Sequence, residues 1–153
     1  MKLKEYQRTA LGELKGFLEA TRIKEIANAY LQTLESQKRF NEPYQALFGP
    51  TPAVCLRVPT GGGKTIMASH AIAIAGKAIK DSDSPVALWL TPSDTIRTQT
   101  LEALANVRHP YRMALADYFG DRVQICDLES LQTISPHDVG KAAIVVVATM
   151  QSP

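Results

Sequence analysis

The chain has 153 residues, 45% hydrophobic and 21% charged, with a net charge of +2. That length suits one domain, and the composition is that of an ordinary soluble globular protein. The charge excludes a basic tail: residues 1–52 hold eight Lys/Arg against six acids and residues 53–153 nine against nine, so any nucleic-acid contact must be local.

Met1–Glu5 is not an apolar leader, and the longest apolar run, Ala142–Ala148, is too short to span a bilayer. The expectation is a soluble, cytoplasmic protein with no membrane partner. Cys55 and Cys126 lie far apart in strand-like segments and read as buried free thiols of a reducing compartment. His70, His109 and His137 have no metal-ligand spacing.

In chain order, apolar residues recur at helical spacing from Leu3 to Leu18 and from Ile23 to Leu34, which predicts one long or two consecutive amphipathic helices over residues 4–38. Asn41-Glu42-Pro43 stops them, and Pro43, Gly49, Pro50 and Pro52 mark a loop. Ala53–Val58 reads as a short strand, residues 64–79 as a helix and residues 81–85 as a turn. Val86–Thr91 is apolar throughout and reads as a strand covered on both faces. Ser93 is placed to cap a helix running to Ala105. A short helix over 111–119 and strands over 122–126 and 143–149 complete the series. Alternation of strands with helices predicts an α/β fold with a mostly parallel sheet. The chain stops just after its most apolar strand, which suggests an incomplete domain.

The chemistry concentrates in Pro59-Thr60-Gly61-Gly62-Gly63-Lys64-Thr65. Between a strand and a helix, three glycines allow backbone N–H groups to converge on a phosphate, and the helix start adds unpaired donors. This is a P-loop layout, although Val58 stands where the strict pattern has its first glycine. Lys64 is placed for the β/γ-phosphates and the Thr65 hydroxyl for Mg²⁺. Thr91-Pro92-Ser93 through Gln99, and Thr149 through Ser152, lie at carboxyl ends of strands, the edge where open α/β sheets bind ligands.

Together these motifs resemble superfamily-two helicases and translocases of the DEAD/DEAH-box group. The nearest likeness is to the helicase-like motor (Res) subunits of type III restriction enzymes. Val58–Thr65 is similar to motif I of that family, Tyr6-Gln7 to its adenine-reading glutamine motif, Thr91–Gln99 to motif Ia and Thr149–Ser152 to motif Ib.

The resemblance implies a P-loop, RecA-like fold. Residues 1–52 would form an N-terminal helical segment, and residues 53–153 the first part of motor domain 1, truncated before the Walker B strand. It implies ATP and Mg²⁺ as cofactors, held by Gln7, Thr60, Gly61, Gly62, Gly63, Lys64 and Thr65. Lys64 and Thr65 would be catalytic, and Thr65 would be the metal contact.

It further implies nucleic-acid contacts at Pro92, Ser93, Gln99, Thr149 and Gln151, with DNA favoured over RNA. The partners implied are the remainder of the motor and a modification (methyltransferase) subunit. Asp94 departs from the pattern, since many relatives carry arginine there; Arg97 lies one turn on. Asp127 and Glu129, the nearest acidic pair, read as a helix cap and a solvated acid, leaving the hydrolytic pair beyond Pro153. A P-loop kinase, a non-nucleic-acid ATPase and a non-hydrolysing nucleotide-binding module remain the alternatives.

Overall fold

A computed structural model describes residues 2–37 and 43–150. Two helices, α1 (Glu5–Ala20) and α2 (Ile26–Ser36), open the chain, so the N-terminal periodicity belongs to two elements with a turn over 21–25. Their stop signal at Asn41-Glu42 lies outside the described residues, as does Gln151. Then follow α3 (Lys64–Lys80), β1 (Val86–Thr91), α4 (Asp94–Ala105), α5 (Pro110–Phe119), β2 (Val123–Cys126), α6 (Leu128–Leu131) and β3 (Ala143–Thr149).

The three strands form a parallel sheet in the order β1-β3-β2. Its handedness explains the layering. The chain crosses from β1 to β2 through α4 and α5, then returns from β2 to β3 through residues 127–142. Right-handed crossovers made in opposite directions lie on opposite faces of the sheet. Accordingly Ala143, Val145 and Val147 pack with Ala73, Leu104, Leu115 and Phe119 of α3, α4 and α5. The alternate residues Ile144 and Val146, with Cys126, meet Ile134 of the return crossover.

That second face corrects the expectation for β1. Val86, Leu88 and Leu90 stand in register with Ile144, Val146 and Ala148, yet they are 57%, 60% and 52% exposed. The return crossover lies over β2 and β3 and leaves β1 bare on that side, so the uninterrupted apolar run is covered on one face only.

A second correction concerns Ala53–Val58. The segment is not a strand: it has no ladder partner among the described residues, and Val54 and Leu56 are exposed. An apolar, β-prone sequence becomes a strand only when a neighbour takes up its backbone N–H and C=O groups. The expectation of two buried thiols fails with it, because Cys55 is exposed while Cys126 is buried.

The N-terminal helices make their own core on the other side of α3. Leu11, Leu14, Phe17 and Leu18 pack with Ala29, Met67 and Ala78. Phe17, Tyr30 and Tyr44 form a ring cluster, and the Tyr44 hydroxyl accepts the Ala53 N–H at 2.8 Å, tying the loop ahead of residue 53 to α1 and α2. The helix after the glycine loop is therefore clamped from both sides. No helix among the described residues is long and apolar enough to cross a membrane.

Candidate functional site

The glycine loop begins with a turn in which the Gly62 N–H donates to the Pro59 carbonyl at 3.0 Å. Gly61 and Gly63 have φ of 74° and 79°, the left-handed region that side chains resist. At Gly62 a Cβ would stand 2.7 Å from a Val58 methyl, and at Gly63 one would stand 2.5 Å from the Gln7 carboxamide nitrogen. The last two glycines are thus required by close approach, and the last by backbone sign as well.

Gly63 is also the N-cap of α3. No side chain caps this helix start, and its first turn holds no acid. The N–H groups and dipole of a helix 17 residues long therefore remain available to an anion. Lys64 is exposed at the first helical position, with its ammonium donating to the Pro59 carbonyl at 3.1 Å. Thr65 follows, half-buried, and Thr60 is exposed on the approach. The donor set fits a polyphosphate: backbone N–H groups, one exposed cation and one hydroxyl at the helix start suited to a hydrated divalent ion.

Gln7 meets this loop from α1. It is 4% exposed, and its carboxamide oxygen accepts the Lys4 N–H at 2.8 Å, half of a capping box. Its nitrogen donates to the Gly62 carbonyl at 2.9 Å. The neighbouring Tyr6 hydroxyl donates to the same carbonyl at 2.7 Å. The sequence places Tyr6 beside Gln7 in the glutamine motif but gives it no site role of its own, because its contact with the loop spans 56 residues.

The strand-end residues meet one another across the β1–β3 ladder. Thr91 and Thr149 are register partners. The buried Thr91 hydroxyl donates to the Ala148 carbonyl at 3.1 Å, and the Met150 N–H donates to the Thr91 carbonyl at 3.2 Å. Pro92 and Ser93 are exposed beyond β1, and Gln99 is exposed on α4. The Ser93 hydroxyl caps α4, accepting the Ile96 N–H at 3.4 Å.

Arg97 is not a free surface cation. Its guanidinium donates to Asp94 at 2.7 Å and stands 3.6 Å from Asp127, leaving the side chain 26% exposed. The hydrogen bond to Asp94 holds the Arg97 pKa above its ordinary value. Asp127 caps α6 through Ser130, and those hydrogen bonds, assisted by Arg97, hold its carboxyl below the usual range. Glu129 is exposed in the same turn. The cleft here, about 410 Å³, is lined by Asp94, Arg97, Asp127 and Glu129. Three carboxylates against one guanidinium make it unsuited to phosphate.

Over residues 1–152 the chain matches the family model described as "Type III restriction enzyme, res subunit". No curated protein and no solved structure matches it.

Proposed function

Because the chain belongs to the type III restriction enzyme res-subunit family, a group of helicase-like, ATP-dependent nucleic-acid motors with a P-loop RecA-like fold, we propose that residues 59–65 bind the phosphates of ATP for such a motor. The observation that carries this reading is the start of α3: positive-φ glycines, no side-chain cap, no acid in the first turn, and Lys64 beside the loop. The Gly61–Thr65 N–H groups would orient the β- and γ-phosphates, and Lys64 would exchange the Pro59 carbonyl for phosphate oxygens. A Mg²⁺ ion, held in part by the Thr65 hydroxyl, would supply charge neutralisation between the phosphates. Gln7 retains one N–H and one lone pair for the adenine edge.

The helical segment 1–52 and the motor segment 53–153 divide the labour between base and phosphate. Pro92, Ser93, Gln99 and Thr149 form one side of a nucleic-acid track. Thr91 supports this by fastening the two strand ends into a single edge. The parent motor would act in the cytoplasm on DNA, as the restriction subunit working with a modification subunit and a second motor domain. Calorimetric titration of ATP–Mg²⁺ into the chain tests the reading. Saturable binding that Lys64→Ala weakens supports it, and equal binding by both proteins contradicts it.

A further inference from the structure

The Gly62 carbonyl receives two hydrogen bonds from α1, from the Tyr6 hydroxyl at 2.7 Å and the Gln7 carboxamide at 2.9 Å, which together fill both of its lone pairs. That carbonyl shares a planar trans peptide with the Gly63 N–H, and in such a unit C=O and N–H point in opposite directions. Fixing the oxygen toward α1 therefore aims the Gly63 N–H away from α1. The peptide lies between two glycines, so no Cβ on either side resists its rotation. The loop cannot hold this plane by its own sterics; α1 holds it.

We propose that Tyr6 and Gln7 form a peptide-plane lock that orients the Gly63 N–H toward a bound phosphate, making Tyr6 a positioning residue for polyphosphate binding. The proposal rests on the phosphate-binding reading of residues 59–65. It assigns Tyr6 a role independent of the base, because the phenol acts on the loop backbone. The ring of Tyr6 is half-exposed and its hydroxyl reaches the Gly62 carbonyl, so Tyr6→Phe removes the lock's first bolt without opening the α1 core.

The test is titration of the chain with ATP and with inorganic tripolyphosphate, which has neither base nor sugar. The lock predicts that Tyr6→Phe weakens both ligands by the same factor, about 3- to 10-fold for one neutral hydrogen bond. The Gly63 amide should give one resonance in the unaltered chain and a broadened or doubled one in Tyr6→Phe. Gln7→Glu, which turns a donor into an acceptor facing the same carbonyl, should weaken both ligands further.

Loss confined to ATP would overturn the lock in favour of a base contact. Unchanged binding of both ligands by Tyr6→Phe, while Lys64→Ala still weakens them, would overturn the lock and leave the phosphate reading standing. Indifference of both ligands to Lys64→Ala would remove the phosphate reading, and the lock with it.

Discussion

The amino ends of α3 and α4 begin with the same unpaired N–H groups and the same favourable dipole, and they dispose of them differently. At α4 the chain satisfies itself: Ser93 accepts the Ile96 N–H, Asp94 adds a carboxylate in the first turn, and Arg97 is held between Asp94 and Asp127. At α3 no side chain closes the start, no acid enters the first turn, and Gly63 bends away in the left-handed region. A helix N-terminus is thus not a site by virtue of being one. It becomes a site where the sequence withholds its own caps.

The largest expected effect comes from closing the open end. Gly63→Ala places a Cβ at positive φ and 2.5 Å from the buried Gln7 carboxamide. It should destabilise the fold by about 2–3 kcal/mol through backbone strain and displacement of α1. Urea denaturation measures this, and a change within 0.5 kcal/mol, about the scatter of neutral surface substitutions, would show that the loop relaxes freely.

Next is Lys64→Ala, which removes the cation at α3 while leaving the helix start intact. ATP affinity should fall about 10- to 100-fold, the range for a charged hydrogen bond. The converse experiment at α4 is smaller. Asp94→Asn leaves Arg97 with one carboxylate partner, so a short single-stranded oligonucleotide should bind a few-fold more tightly at low salt, with the gain fading as salt screens it. No gain at any ionic strength would mean that Asp127 alone holds the guanidinium.

The smallest effect concerns pH. His70 lies buried on α3, its Nδ1 3.3 Å from the Tyr118 hydroxyl of α5, and desolvation lowers its pKa from the ordinary 6.5, against a raising influence from Asp117. A lowered folded pKa means the unfolded chain binds the proton first. This contribution is therefore fully present above about pH 6.5 and is lost as pH falls toward the lowered value. Thermal melts of the parent chain should decline over that interval more steeply than those of His70→Gln.

Much of this was legible in the sequence because the signals are local. Helical periodicity located the α1–α2 region as one or two helices, the stretch after the glycine loop read as α3, and Ser93 and Asp127 were recognisable as caps from residue type and position. The glycine loop announced itself by composition. What was not legible required partners distant in sequence. Residues 53–58 look like a strand but find no ladder among the described residues, which is also why Cys55 is exposed. β1 looks doubly covered, yet the crossover on its second face reaches only its neighbours. Arg97 and Asp94 could be paired by helical spacing; Asp127 joins them only through the sheet topology. Tyr6 reaches Gly62 only because α1 packs on α3.

The most direct test of the difference between the two helix starts is titration of the ¹⁵N-labelled chain with tripolyphosphate, following amide resonances at both ends at once. The amides of Gly61 to Thr65 should shift saturably, those of Ser93 to Arg97 should not move, and Lys64→Ala should suppress the shifts at the first group. Equal shifts at both ends, or shifts at Ser93 to Arg97 alone, would contradict the account.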